Sequence, residues 1–227
     1  MLIRRGTSLK VLNLGLKPYS EVWELQKQLQ QELISGTAQE TLIICQHNPV
    51  ITLGTSADSS NILVNEAILK EKSVELFKIE RGGDVTFHGP GQLVAYPILN
   101  LNNHRRDVDW YLRTLEAVII QTLKVFDIEG YRITGKTGVW IHPHDDTSSD
   151  AQRERKIASI GVRLSRWCSM HGLALNIKDC SAGFSLINPC GFNDIVSTSI
   201  EQEGIIANHA LVETGLVSTF KELFGYL

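Results

Sequence analysis

Apolar residues recur along this chain with two periods. Val22, Leu25, Leu29 and Leu33 stand three or four apart, with glutamines and charges between them. That is one face of a helix, opened at Pro18, Tyr19 and Ser20 and stopped at Gly36. A longer set, Val108, Tyr111, Leu112, Leu115, Val118, Ile119 and Phe126, predicts a helix over 108–127 with Asp107 as its cap. Leu211, Val217, Phe220 and Phe224 are expected to face inward from a last helix over 208–224, and Asn65 caps a short one within 61–72. Between them lie short apolar runs at 10–16, 41–45, 50–53, 74–79, 93–99, 131–134, 138–141, 156–164 and 172–177. These read as strands, several joined by short connections without regular strand–helix alternation. The pattern predicts a single α/β (α+β) domain over residues 1–227, built on a mixed, mostly antiparallel sheet with flanking helices. The polar stretch 142–155 is expected to be an exposed loop.

Composition narrows the classes. Hydrophobic residues make up 43% and charged residues 21% of 227 residues, which excludes a disordered chain, a fibrous repeat and a coiled coil. Lys+Arg 22 against Asp+Glu 25 leaves a net charge of -3, without the basic excess of a dedicated nucleic-acid binder. A local basic patch for an acidic partner is compatible with it. No run approaches the roughly 18 apolar residues of a membrane span, and no signal-peptide pattern opens the chain. Cys45, Cys168, Cys180 and Cys190 form no CxxC pair, and no histidine pair has convincing metal-ligand spacing on a predicted helix. The expectation is a cytoplasmic protein with thiols rather than disulfides, without metal or other cofactor.

Three segments carry candidate chemistry. Residues 81–92, RGGDVTFHGPGQ, hold four glycines beside an arginine, a threonine and a histidine. Glycine allows close backbone approach to a ligand, so this is either a loop wrapped on a substrate or a long hairpin turn. It fits neither GxxxxGK[ST] nor GxGxxG, and nucleotide binding is unsupported. His88 within it either holds the turn or meets the substrate. Cys190 sits between Pro189 and Gly191, a turn that either presents a nucleophile or encloses a small buried thiol. Lys156 follows the charge run and precedes Ile157, Ala158 and Ile160. It is either solvated or enclosed, and an enclosed lysine loses its charge more readily and can serve as acid or base.

Taken together, RGGDVTFHGPGQ, KIASIGVRLSRWCSMHGLALNI and INPCG resemble the octanoyltransferases, the lipoate-protein ligase B family. The resemblance runs from about Arg4 to Phe224, and the separation of Lys156 and Cys190, 34 positions, is also similar to the family's. Asp84 and Phe87 depart from it, standing where glutamine and tyrosine are expected. The stretch 142–155 is longer than in a minimal member.

The resemblance implies the fold of the biotin and lipoate protein ligase catalytic domains. It also implies transfer of an octanoyl group from octanoyl-acyl carrier protein to a lysine of the lipoyl domain of 2-oxoacid dehydrogenase E2 subunits or of the glycine-cleavage H protein. In that reading Cys190 forms an acyl-thioester and Lys156 handles protons. Arg81, Gly82, Gly83, Asp84, Val85, Thr86, Phe87 and His88 bind substrate, while Ser159, Ile160, Gly161, Gly172, Leu173 and Ala174 line the acyl pocket. The donor is already a thioester, which agrees with the missing phosphate loop. The acidic partners would meet basic surface drawn from Arg4, Arg5, Arg105, Arg106, Arg113, Arg163 and Arg166 on a monomer. The alternatives are an ATP-dependent lipoate or biotin ligase of the same fold and a non-catalytic binding module for lipoylated partners.

Overall fold

A computed structural model describes residues 8–143, 153–189 and 195–226. Its strands in chain order are β1 Lys10–Lys17, β2 Thr41–His47, β3 Val50–Leu53, β4 Glu75–Lys78, β5 Val85–His88, β6 Gln92–Ile98, β7 Gly130–Ile133, β8 Lys136–Ile141, β9 Glu154–Ser165, β10 Cys168–Asn176 and β11 Ile195–Ser197. The helices are α1 Tyr19–Ser35, α2 Glu66–Glu71, α3 Val108–Lys124, α4 Ser181–Phe184 and α5 His209–Phe224. Among the described residues, eight strands form one sheet in the order β1-β2-β6-β10-β9-β8-β7, with β11 on β9, and three more form β4-β3-β5. Most pairings are antiparallel; β1–β2, β3–β4 and β11–β9 are parallel. This is the mixed, mostly antiparallel α/β architecture that the sequence predicts.

The large sheet buries a face on either side. Tyr111, Leu115, Val118 and Ile119 of α3 and Val212, Leu216 and Phe220 of α5 pack on Leu173, Leu175 and Ile157. On the other face Val22 and Leu33 of α1 meet Ile43, Val94, Tyr96 and Ala174. Each valine, leucine, isoleucine or phenylalanine so enclosed contributes about 1.5–3 kcal/mol. The small sheet carries its own cluster, in which Phe87 and Ile51 meet Leu69, Phe184 and Ile187. Among the described residues no helix is long and apolar enough to cross a membrane.

Four local expectations are corrected. Leu211 is 58% exposed. With Asn208 capping α5 through the Ala210 N–H, the inward i, i+4 series runs Val212, Leu216, Phe220, Phe224. Val108, at the first position of α3, is 43% exposed, and Phe126 lies beyond the last turn. Residues 81–92 are not one loop. Val85–His88 form β5 against β3 because their glycines sit at either end, where Gly83 (φ 90) and Gly91 (φ 92) take conformations that other residues rarely adopt. The expected exposed loop 142–155 also ends early. Glu154 and Arg155 belong to β9, and Arg155 is buried with its guanidinium on the His142 carbonyl and Glu203. Residues 144–152, His144 among them, lie outside the described residues.

Candidate active site

A cavity of about 260 Å³ opens between the small sheet and strands β6, β10, β9 and β8 of the large one. Lys156 comes from β9, where it pairs with Trp140 of β8 on one side and Ser197 of β11 on the other. It is 9% exposed. Its Nζ stands 5.0 Å from the centre of the Trp140 ring. Its stem crosses Gly138, where an added Cβ would meet Cε at 2.7 Å and Nζ at 3.4 Å. Because β8 and β9 are antiparallel and Val139 faces Ala158, position 138 lies toward Ser159. The amine therefore leans along β9 toward the segment 159–161, which lines the cavity with Gly172, Leu173 and Ala174.

The backing of Gly138 is ionic. Its N–H donates to Glu116 at 3.2 Å, a wholly buried carboxylate of α3 that also binds Arg113 at 2.7 Å and Arg132 at 2.9 Å. Arg113, a candidate for basic partner surface, is thus engaged. Arg105 pairs with Asp107 at 2.7 Å and Arg163 with Glu80 at 3.4 Å; Arg4 and Arg5 lie outside the described residues.

Among residues 81–88, Arg81, Gly83, Asp84, Val85, Thr86 and His88 line the cavity; Gly82 and Phe87 do not. Gly82 N–H donates to the Val162 carbonyl at 2.9 Å, docking the turn on β9. Arg81 is 7% exposed and works inward. It donates to the Thr52 carbonyl at 2.7 Å, to Thr52 Oγ1 and to the Gly82 carbonyl at 3.1 Å. Phe87 points away from the cavity and meets Phe184 edge-on at 5.8 Å, while Gly183 lies so close that a Cβ there would stand 2.1 Å from its ring. Asp84 accepts from Asn61 Nδ2 at 2.6 Å and from Asp58 N–H at 3.2 Å.

Cys190 lies outside the described residues with Gly191 and Phe192. Its neighbours are held on both sides. Asn188 N–H donates to the Asn61 carbonyl at 2.7 Å, and Leu63 N–H to the Leu186 carbonyl at 2.9 Å. Pro189, one residue before Cys190, lines the cavity, and so does Ile195 where the chain re-enters as β11. Ser197 then pairs with Lys156, and Thr198 N–H donates to the Lys156 carbonyl at 3.0 Å.

The far end of the cavity is polar and includes residues that the sequence did not single out. Tyr96 and Tyr19 line it with His88 and His171. His47 sits behind them. Its Nδ1–H donates to the Lys17 carbonyl at 3.1 Å, so Nε2 accepts the Tyr96 hydroxyl at 2.8 Å. Gln92 gives its amide N–H groups to the Phe87 carbonyl and Asn176, leaving Oε1 to accept His88 Nδ1–H at 2.6 Å. Burial pushes His47 down to about 4. Burial, then the neighbouring His47, pushes His88 down to about 3. Both rings are neutral at ordinary pH.

The three described cysteines, Cys45, Cys168 and Cys180, are buried, and burial raises all three thiols above their usual range. None lines the cavity. Among the described residues no group of three His, Cys, Asp or Glu side chains could hold a metal ion.

Comparison with known proteins gives the family and the fold. The family model "Lipoyl protein ligase A/B catalytic domain" matches residues 18–221. An octanoyltransferase of Parabacteroides distasonis is 40% identical over 224 residues, covering 96% of this chain and 99% of its own. One from Gloeobacter violaceus is 44% identical over 188 residues, 82% of this chain and 78% of the relative. Among solved structures, a putative lipoate protein ligase of T. acidophilum with bound lipoic acid has a TM-score of 0.70 at 12% identity, covering 97% of this chain and 87% of that one. Lipoate-protein ligase A bound with ATP also gives 0.70 at 12%, over 96% and 86%. At such identity these two likenesses concern the fold.

Proposed function

Since this chain belongs to the octanoyltransferases of the lipoyl protein ligase A/B catalytic-domain family, an acyltransferase group, we propose that it moves an octanoyl group from octanoyl-acyl carrier protein to a lysine of a lipoyl domain. The acceptors are the lipoyl domains of 2-oxoacid dehydrogenase E2 subunits and the glycine-cleavage H protein. One observation carries the reading: the enclosed amine of Lys156 faces the same cavity that Pro189, next to Cys190, lines.

The chemistry proceeds in two halves. Neutral Lys156 takes the proton of the Cys190 thiol, and the thiolate attacks the donor thioester carbonyl. The tetrahedral intermediate expels the pantetheine sulfur, which leaves as a thiol with the proton from Lys156. A Cys190 octanoyl-thioester remains. The acceptor amine then attacks that carbonyl, neutral Lys156 takes a proton from the attacking nitrogen, and the lysine ammonium returns it to the Cys190 sulfur as that sulfur departs. One thioester and one amine become one amide and one thiol, and no phosphate chemistry is required.

The acyl chain lies along β9 and β10, past Ser159, Gly161, Gly172 and Ala174. Arg81 both lines this channel and clasps its turn, while Gly82 acts as the clasp alone. Asp84 and Phe87 act on the approach to Cys190, Asp84 through Asn61 and Phe87 through α4. Initial rates at several fixed acceptor concentrations test the scheme. A covalent intermediate that forms, with release of the carrier-protein thiol, before the acceptor binds gives parallel double-reciprocal lines. Intersecting lines with activity retained in Cys190→Ala contradict it.

A further inference from the structure

The inner end of the cavity holds a histidine that the two half-reactions leave unused. His171 of β10 is 1% exposed and lines the cavity. Its backbone N–H is anchored on Gln26 Oε1 of α1 at 2.9 Å. Neither ring nitrogen has a hydrogen-bond partner among the described residues, and both are buried. Burial, then the charges of Arg81 and Arg163, pushes its pKa down to about 3, so the ring is neutral, with one donor and one acceptor. Buried polar groups in folded proteins almost always have partners, so two orphaned nitrogens on one cavity-lining ring make this end of the cavity polar and a poor fit for further apolar chain.

Register gives the ring its place. His171 pairs with Val162, and the Lys156 amine, leaning past Gly138, stands at about the level of Ser159, three positions away, or about 10 Å at about 3.3 Å per residue. The wall between is built from facing pairs of small residues, Gly161 with Gly172 and Ser159 with Ala174. A narrow track bounded by an amine at one end and an imidazole at the other suits an unbranched chain.

We infer that His171 is the end wall of the acyl channel and sets the longest chain that the enzyme transfers. The inference rests on the octanoyl-transfer reading. The wall acts sterically, and it acts through solvation: a longer apolar chain pressed on the imidazole would deny both nitrogens any partner.

The backbone supplies a clean test. His171 has φ 60, a region that asparagine and glycine tolerate. His171→Asn and His171→Gly therefore shorten the wall without backbone strain. Hexanoyl-, octanoyl-, decanoyl- and dodecanoyl-acyl carrier protein are offered to wild type and both variants, with a lipoyl domain as acceptor. The readout is the ratio of kcat/KM for dodecanoyl to octanoyl within each preparation, from which any misfolded fraction cancels. The ratio should rise by about tenfold or more in both variants. Unchanged ratios in both variants, with wild type transferring octanoyl, would overturn the end-wall assignment alone. A wild type that transfers no acyl group from any donor would instead overturn the octanoyl-transfer reading.

Discussion

Lys156 occupies the space that a side chain at position 138 would need. An ideal Cβ on Gly138 would stand 2.7 Å from Lys156 Cε and 2.7 Å from the Ala158 carbonyl oxygen, at a φ of 132. Gly138→Ala must therefore shift the lysine or β8. Displacement of a reacting group by about 1 Å can cost about a hundredfold in rate, and overpacking costs about 1–3 kcal/mol. Gly138→Ala should thus slow acyl transfer from enzyme to lipoyl domain by about ten- to a hundredfold, measured in single turnover. Retention of the wild-type rate would show that the lysine needs no such seat.

Asp84 reaches the segment that precedes the proposed nucleophile through Asn61. It holds Asn61, whose carbonyl holds Asn188, two residues before Cys190. Asp84→Ala should slow acylation of Cys190 by octanoyl-acyl carrier protein more than Asp84→Asn does, because asparagine keeps one acceptor oxygen. Stopped-flow or quenched-flow acylation rates check the order. Equal effects of the two substitutions would dissociate the carboxylate from the placement of Cys190.

Arg81 is expected to matter for the clasp as much as for the substrate. Lysine cannot span the Thr52 carbonyl, Thr52 Oγ1 and the Gly82 carbonyl together. Arg81→Lys should lower stability by about 1.5–3 kcal/mol, the range for hydrogen bonds to charged groups, and raise KM for the donor. Urea unfolding read beside steady-state kinetics checks both. A raised KM at unchanged stability would return Arg81 to direct substrate binding.

The buried histidines make stability depend on pH. Unfolded histidine takes up a proton near about 6.5, whereas folded His47 does so only at about 4 and His88 and His171 only at about 3. Between those values the unfolded chain binds more protons. Stability is therefore complete above about 6.5 and falls as pH drops toward about 4, by at most about 1.4 kcal/mol per pH unit for each histidine. Denaturant midpoints from pH 7 to 4.5 should fall, and His47→Gln should flatten the slope. An identical slope in that variant would show that His47 does not carry its share.

Sequence legibility differed by element for physical reasons. Local periodicity reveals elements that bury one continuous face, such as α1 and β2, and these stand where expected. The face of α5 was misassigned because Leu211 is apolar yet sits one position ahead of the inward series that the Asn208 cap sets in phase. For the site, glycine density marked 81–91, but composition cannot separate the residues that line a cavity from those that brace it. Phe87 and Asp84 became bracing residues only once α4 and Asn61 were beside them. Tyr19, His47 and Tyr96 are scattered in sequence and converge only in the folded chain. His171 stood in view as one of seven histidines, but its left-handed backbone and orphaned nitrogens arise from tertiary packing.

The proposed covalent step is tested most directly by the intact mass of the protein after incubation with octanoyl-acyl carrier protein and no acceptor. Wild type should gain one octanoyl group and lose it on addition of a lipoyl domain, while Cys190→Ser should gain none as a thioester. A wild type that transfers octanoyl to the acceptor yet carries no adduct, or an adduct that forms equally in Cys190→Ser, would contradict the mechanism.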